Sequence, residues 1–156
     1  MRIATFLRAM GCAALAGMML GAANADPVKP DPSHIVMVPN KDIKWQIDPN
    51  FGEEIAYIMG DASKPGPYIM LIKWKPHTMS TPHIHNTDRF VYVAQGTWWV
   101  SDSPHYDPSK TYPVPQGSTG IDKANQVHWD GAKDEPVVLV LYGMGPATTT
   151  KVPEKK

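Results

Sequence analysis

Two histidines in a β-rich stretch are the residues in this sequence best suited to chemistry. His83 and His85 stand two positions apart. Alternate residues of a β-strand point to the same face, and their backbones lie roughly 7 Å apart. The two imidazole rings can therefore converge on one metal ion. Arg89 follows His85 and begins an alternating segment that ends at Gly96. The stretch predicts a metal-binding or anion-binding site built on strands.

The segments around this stretch predict short strands separated by Gly and Pro. Residues 68–74 form a strong strand, and residues 89–95 and 97–101 flank Gly96 as the arms of a hairpin would. The most continuous apolar run, 137–142, predicts a strand in the centre of a sheet. No window has a helical period, so the sequence predicts an all-β sandwich or barrel. Further strand-like runs lie at 34–39, 43–47, 54–60, 112–114, 121 and 127–129.

The amino terminus predicts a signal peptide. Arg2 and Arg8 form a short basic region, and residues 9–22 are an apolar run. Residues 23–25 have the small-x-small pattern that a signal peptidase cuts. The run is shorter than the about 20 apolar residues that a membrane-spanning helix needs. We therefore expect residues 1–25 to be removed and the mature protein to be periplasmic or secreted, without a membrane anchor.

Removal of this segment changes the cysteine content and the charge. The single cysteine, Cys12, is lost with it, so we expect no disulfide and no thiol chemistry. Without Arg2 and Arg8, fifteen acidic residues face thirteen basic ones, and Arg89 is the one arginine left. This composition lacks a basic patch and argues against nucleic acid as a partner. The predicted domains are an extended arm at 26–40, a single barrel at 41–147 and a flexible tail at 148–156.

The stretch around the histidine pair resembles the first motif of the cupin family, which consists of jelly-roll β-barrels. The family motif is Gly, five residues, His-x-His, three or four residues, Glu, six residues and Gly. In this sequence His83 and His85 take the histidine positions and Gly96 takes the last position. His77 stands where the family has its first Gly, and Arg89 stands where it has Glu. Every spacing matches.

A second stretch resembles the second cupin motif, which is Gly, five residues, Pro-x-Gly, two residues, His, three residues and Asn. Here the run is Gly117, Lys123-Ala124-Asn125, His128 and Ala132. The spacing again holds, while Lys123 and Asn125 replace the family's Pro and Gly. The two motifs span about residues 77–132. The resemblance implies an all-β, single-domain, cupin-type jelly-roll β-barrel.

The resemblance also implies a metal site made of His83, His85 and His128. Three neutral imidazoles suit a divalent ion, with Fe as our first expectation and Zn, Mn, Ni or Cu as alternatives. Arg89 cannot replace the family's acidic ligand, because a guanidinium group stays protonated. The site is therefore expected to have three histidines and no carboxylate ligand, an arrangement that some cupin-type dioxygenases use.

A positive charge at position 89 has to be offset if a metal binds. At about 5 Å, a cation is repelled by roughly 3 kcal/mol per unit of metal charge when the effective dielectric constant is near 20. A substrate anion could lie between the metal and Arg89, or a protein carboxylate could pair with Arg89. Alternatively, no metal binds and the residues form an anion-binding cup. The candidate carboxylates are Glu53, Glu54, Asp102 and Asp122, whereas strand alternation turns Asp88 away.

Three further residues near the motifs, His77, Trp98 and Trp99, have no predicted role as metal ligands. His77 would lie about 20 Å from His83 in an extended strand, so we expect it at the rim or on the surface. Trp98 and Trp99 take opposite faces of their strand, so one of them can line the pocket. Both can equally belong to the core or to a subunit interface.

Three function hypotheses follow from these expectations. In the first, the protein is a metal-dependent enzyme in which Arg89 is catalytic, orients a small anionic or enolic molecule and supports a dioxygenase-like reaction. In the second, it is a non-catalytic periplasmic protein that binds or senses a small molecule in the same cup. In the third, it is a structural barrel whose motif has decayed. We also expect a homodimer formed through edge strands.

Overall fold

The computed structural model describes residues 31, 33–34 and 36–153. The chain divides into two units, Met1–Met37 and Val38–Lys156. The predicted signal peptide at 1–25 lies outside the described residues, as does most of the predicted arm before residue 36. All of the strands described below belong to the second unit.

The second unit is built almost entirely of β-structure, which confirms the predicted fold class. Within the part of the chain described, no helix is long and apolar enough to cross a membrane. A short 3-10 helix, Asn40–Asp42, precedes twelve strands. The strands are β1 (Gln46–Ile47), β2 (Glu54–Met59), β3 (Gly66–Trp74), β4 (Thr78–Met79), β5 (His83–His85), β6 (Arg89–Gln95), β7 (Trp98–Ser101), β8 (Tyr112–Val114), β9 (Thr119–Asp122), β10 (Trp129–Ala132), β11 (Val137–Gly145) and β12 (Thr149–Lys151).

The strands form two larger sheets and one two-stranded pair. The first sheet has the order β1-β2-β3-β11-β6-β9, and the second has the order β4-β10-β7-β8. Every pair of neighbours in them is antiparallel. Strand β5 pairs with β12 on one side. Strand β11 lies between β3 and β6, which explains its nearly continuous apolar sequence.

The core lies on the inner face of the six-stranded sheet. Alternate residues of β3 and β11 are buried, as the period of two in a strand requires. Partly buried Trp98 and Val114, from the four-stranded sheet, pack against this face. Because a shift of one residue would turn the apolar side chains outward, burial fixes the register that positions the site. The core cluster consists of Ile55, Tyr68, Met70, Ile72, Trp74, Val91, Val93, Ala132, Val137, Leu139 and Leu141.

Three sequence-based predictions are wrong at the ends of this unit. The described residues of the run 34–39 form no strand, and the strand predicted at 43–47 shortens to Gln46–Ile47. The predicted flexible tail instead contains β12, in which Thr149–Lys151 pairs with β5. The barrel therefore extends to Lys151. A strand that completes an edge through backbone hydrogen bonds needs no apolar alternation, so the composition of 148–151 carried no signal for it.

Candidate metal centre

Backbone pairing brings the three predicted histidines together. His83 donates its backbone N–H to the His128 carbonyl at 2.9 Å, and His128 donates to the His83 carbonyl at 3.0 Å. Residues paired in this way face each other directly, with adjacent side chains. His85 lies on the same face of β5 as His83. The three ring centroids are consequently 4.4 to 5.2 Å apart.

The geometry of the cluster suits a metal ion. One ring nitrogen from each of the three histidines lies within 4.8 Å of the other two, a distance that two zinc–nitrogen bonds of about 2.1 Å nearly span. All three residues are buried, with exposed fractions of 9% or less. The side chains thus form a closely spaced set of nitrogen ligands shielded from water.

Hydrogen bonds at Nδ1, the ring nitrogen that would not bind the metal, orient the imidazoles. His83 Nδ1 lies 2.7 Å from the Thr81 carbonyl oxygen, and His128 Nδ1 lies 3.2 Å from the Gln126 carbonyl oxygen. A carbonyl oxygen can only accept, so both Nδ1 atoms carry a hydrogen, and in a neutral imidazole of this form the Nε2 atom keeps the lone pair. Histidines that bind metals in proteins usually donate the N–H of their other ring nitrogen to a protein oxygen in this way.

His85 is the third candidate nitrogen ligand of the cluster. Its Nδ1 lies 3.0 Å from Thr149 Oγ1 on β12. Its Nε2 is buried and has no hydrogen-bond partner. A buried nitrogen without a partner is uncommon in folded proteins. The residues present therefore fit a metal ion bound by the three Nε2 atoms.

Two of the three buried histidines, His83 and His85, are uncharged at neutral pH. Burial, the Arg89 charge and the two other imidazoles together lower the pKa of His85 to about 2, with burial the largest cause. Burial also lowers the pKa of His83. A metal ion binds the neutral imidazole, so no proton needs to leave these two rings before a metal binds.

Arg89 pairs with a protein carboxylate, which is one of the arrangements that the sequence left open. Arg89 begins β6, and its partner across the sheet is Asp122 at the end of β9. The guanidinium Nε–H donates to Asp122 Oδ2 at 3.0 Å, and the Nη2 group donates to the same oxygen. Both side chains are largely buried. Of the other candidate carboxylates, Glu54 pairs with Lys73 at 2.6 Å, and Asp102 is exposed.

The Asp122 carboxylate also lies against the histidines. Its Oδ1 is 3.4 Å from His128 Nδ1, and its Oδ2 is 3.8 Å from His85 Nε2. The negative charge thus stands beside both the guanidinium group and the imidazoles. Because opposite charges at such distances cancel much of each other's field, the repulsion expected between Arg89 and a metal is offset within the protein.

The loop before His128 is held by Asp88, which points away from the site as expected. The Asp88 carboxylate accepts hydrogen bonds from Lys123 Nζ and from the Ala124 backbone N–H, each at 2.8 Å. The Asn125 backbone N–H donates to the His85 carbonyl at 2.7 Å. The substituted turn is therefore tied both to β5 and to the residue before β6.

The positions that the cupin motifs give to glycine keep the glycine conformation. Gly96 and Gly117 have φ values of 74° and 85°, and His77 and Asn125 have φ values of 59° and 61°. His and Asn enter this left-handed region more readily than most residues with a Cβ atom. The two substitutions therefore preserve the turns. His77 itself is exposed, in agreement with its expected place outside the cluster.

The histidines open onto a cavity of about 60 Å³ inside the unit. Trp98 lines it and donates its indole N–H to Asp130 Oδ2 at 2.6 Å. Trp99 points elsewhere, and Lys133 Nζ lies 3.8 Å from the centroid of its ring. The expectation that one of the two tryptophans lines the pocket thus holds for Trp98.

Two further cavity residues had no assigned role in the sequence analysis. Glu53 was considered only as a partner for Arg89, and Trp74 was considered only as part of a strand. Both are buried, with exposed fractions of 8% and 2%, and both line the cavity that contains the histidines. Alternation along β3, and along β2 extended back by one residue, could have indicated that these two side chains face inward, but no motif connects them.

Comparisons with known proteins identify the fold. No protein-family model matches the sequence, and no curated protein matches it. Among solved structures, polyketide cyclase RemF from Streptomyces resistomycificus matches with a TM-score of 0.64 and 15% identity, over 78% of this chain and 88% of that chain. A cupin-superfamily sugar phosphate isomerase from Silicibacter pomeroyi matches with a TM-score of 0.60 and 16% identity, over 76% and 83% of the two chains. A cupin-like protein from Thermotoga maritima matches with a TM-score of 0.53 and 16% identity, over 67% and 80%.

The chain has the cupin fold, the jelly-roll β-barrel that the two motifs predicted. At these levels of identity the likeness concerns the fold alone. Its three-histidine cluster is compatible with metal binding.

Proposed function

We propose that this protein binds one divalent metal ion through the Nε2 atoms of His83, His85 and His128, and that a small oxygen-containing molecule binds beside the ion. The observation that carries this proposal is the convergence of three buried imidazoles, in which His85 Nε2 has no protein partner. Fe is our first choice, and Zn, Mn, Ni or Cu suit the same ligands. A bound ion would supply a Lewis acid that polarises an oxygen of the ligand.

The volume of the cavity limits the size of the ligand. The cavity measures about 60 Å³, whereas one water molecule needs about 10–15 Å³ by this kind of measure. It therefore holds a few water molecules or a ligand with few heavy atoms, unless side chains move. This favours a small molecule over a large polycyclic one.

The charges of the cavity limit the chemistry of the ligand. Arg89 is paired with Asp122, while Asp48 and Asp130 add two further carboxylates to the lining. A divalent ion would offset this negative surplus. We infer that the ligand is a small anionic, enolic or carbonyl compound that contacts the ion through oxygen. Arg89 then acts through Asp122 as a positioning residue.

Metal analysis tests the proposal. The mature chain is purified without an affinity tag, reconstituted with Fe(II) or Zn²⁺ and measured by mass spectrometry. We expect about one ion per wild-type chain and a strong loss in His83→Ala, while His105→Ala, at an exposed histidine, serves as the matched control. Less than a tenth of an equivalent in the reconstituted wild type would refute the proposal.

The reaction class is a separate question. Oxygen uptake by the Fe(II)-loaded protein with a panel of small diketones and phenols would support the dioxygenase-like reaction. Proton exchange without oxygen uptake would support a reaction of the cyclase or isomerase kind, which the names of two structural neighbours suggest. Saturable binding with neither activity would support a non-catalytic binding or sensing protein.

We also propose that the protein forms a homodimer. On the outer face of the six-stranded sheet, Ile121, Phe90, Tyr142, Ile69 and Met59 are cross-strand partners in one continuous row. Four of them are more than 40% exposed, and an exposed apolar row of this kind is typical of an interface. Light scattering should give a dimer that Phe90→Asp weakens, and a wild-type monomer would contradict this proposal.

Export is proposed from the signal peptide pattern alone. Amino-terminal sequencing of the protein recovered from the periplasmic fraction or the culture medium should begin at Asp26. A chain that retains residues 1–25 in the cytoplasm would contradict this proposal.

A further inference from the structure

Unpaired polar atoms concentrate in the cavity beside the histidines. Among the described residues, four buried side-chain nitrogen or oxygen atoms lack a hydrogen-bond partner. Three of them belong to residues that line this cavity, namely Glu53 Oε2, Trp74 Nε1 and His85 Nε2. A metal ion accounts for the His85 nitrogen. A buried polar group without a partner costs about 1–3 kcal/mol, so Glu53 and Trp74 indicate a further ligand.

The sheet register places Glu53 and Trp74 side by side. Strands β2 and β3 pair antiparallel, with Glu54 opposite Lys73. Continuing this register by one residue places Glu53 opposite Trp74. The Glu54 carboxylate forms an ion pair with Lys73, and alternation turns Glu53 and Trp74 to the other face, into the cavity. A carboxyl group and an indole N–H donor thus stand together beside the metal site.

The surroundings of Glu53 tune its acidity. The pKa of the Glu53 carboxyl is raised to about 7, chiefly because burial disfavours the charged form and also because the Asp48 and Asp130 charges raise it. A hydrogen bond with the backbone and the Arg89 charge act in the opposite direction and lower this pKa. A carboxyl group with a pKa near the working pH can both accept and return a proton.

We propose that Glu53 transfers a proton to and from a small enolisable carbonyl compound whose oxygen accepts a hydrogen bond from the Trp74 indole N–H. This inference rests on the proposed function, since it places the compound next to the metal site. Glu53 Oε2 takes a proton from the carbon beside the carbonyl group, so the C–H bond breaks and an O–H bond forms. The electron pair of the C–H bond forms a carbon–carbon double bond, and the π pair of the carbonyl group moves to the oxygen, where the Trp74 N–H stabilises the developing negative charge.

The return of the proton completes the step without any other reactant. Return to the same carbon regenerates the compound with an exchanged proton. In a hydroxyketone, return of the proton to the neighbouring carbon produces an isomer when the hydroxyl proton also passes, through water, to the former carbonyl oxygen. No oxidant or reductant is consumed, which separates this inference from the dioxygenase-like reaction.

Proton exchange in deuterium oxide tests the inference. The zinc-loaded full chain is incubated with pyruvate, which is anionic, or with hydroxyacetone, which is neutral, and the loss of proton signals beside the carbonyl group is followed by NMR. We expect wild type to accelerate exchange of at least one compound tenfold or more over free Zn²⁺. Glu53→Gln should return to that background, and Trp74→Phe should lose about tenfold.

Control variants separate catalysis from folding and metal binding. Glu54→Gln changes the neighbouring carboxylate on the other face and should leave exchange unchanged, while Glu53→Asp should restore part of the activity. Zinc content should be equal in wild type and Glu53→Gln. The wild-type exchange rate should rise with pH through a midpoint near 7, and Glu53→Gln should lack this dependence.

Three results would overturn the inference. The first is zinc-loaded wild type that accelerates exchange of neither compound. The second is Glu53→Gln that exchanges as fast as wild type. The third is Glu53→Gln that loses zinc, because Glu53 would then be a metal ligand. A wild-type chain that does not bind zinc would instead refute the proposed function on which the inference rests.

Discussion

Asp122 is the residue on which the compatibility of Arg89 with a metal ion depends. Its Oδ2 accepts hydrogen bonds from Arg89 and lies 3.8 Å from His85 Nε2. Asp122→Asn keeps the shape of the side chain and removes its charge. The buried guanidinium group would then face the three histidines without compensation. We expect this single change to weaken metal binding although Asp122 is not one of the three proposed ligands.

The expected magnitude follows from the charges. A unit charge about 5 Å from a divalent ion interacts by roughly 6–7 kcal/mol at an effective dielectric constant near 20. Solvent and relaxation reduce this upper limit. We therefore expect a loss of about 10–100-fold in metal affinity, the range typical of groups that hold metal ligands. Because breaking a buried ion pair costs about 3–5 kcal/mol, the metal-free variant should also unfold at a lower denaturant concentration.

Calorimetric titration with Zn²⁺ provides the measurement, with circular dichroism to confirm that each variant is folded. Arg89→Gln removes the repelling charge and keeps the carboxylate, so it should bind zinc as tightly as wild type or more tightly. The double variant should lie between the two single variants. Equal weakening by Asp122→Asn and Arg89→Gln would refute the electrostatic reasoning, since the pair would then act only by holding the fold.

Two further predictions concern residues beside the histidines. The pKa of Glu53 rises from 4.5 to about 7 on folding, so the folded state holds an extra proton and loses stability as the pH rises through this window. The free energy of unfolding of Glu53→Gln should therefore exceed that of wild type by about 2–3 kcal/mol at pH 8 and differ little from it at pH 4. Denaturant titration at both pH values checks this prediction. An equal difference at the two pH values would contradict it. Thr149→Val removes the hydroxyl group that contacts His85 Nδ1 and should weaken zinc binding about tenfold, whereas Thr150→Val, on the next residue, should not. Unchanged zinc affinity in Thr149→Val would show that this contact does not orient His85.

The histidine cluster could be predicted from the sequence because its determinants are local. Strand parity places His83 and His85 on one face, and motif spacing identifies His128. The two departures from glycine, His77 and Asn125, did not disturb the fold because both residues adopt the left-handed conformation that the turns require. The sequence shows the substitution but not the φ angle, so this tolerance becomes visible only in the structure.

The sequence narrowed the partner of Arg89 to a few candidate carboxylates, but it could not show which of them pairs with Arg89. The choice depends on the pairing of β6 with β9, which places Asp122 directly opposite Arg89. That register is set by burial along β6 and β11 and by the course of the long segment between β7 and β9. No local pattern records such a pairing.

The cavity residues and the last strand were missed for a related reason. Glu53 and Trp74 become neighbours only through the β2–β3 register, and Thr149 reaches His85 only because β12 completes the edge of β5. In each case the contact joins segments that are distant in sequence. Periodicity and motif spacing were enough to predict the fold class. The polar residues around the site could be identified only once the pairing of the strands was known.

X-ray absorption spectroscopy of the zinc-loaded mature chain tests the central claim most directly. The account predicts one zinc ion per chain with three imidazole nitrogens at about 2.0–2.1 Å, and a corresponding loss of one imidazole in His128→Asn if the variant retains zinc. A shell that consists of oxygen ligands, or that contains fewer than three imidazoles in wild type, would contradict the three-histidine site.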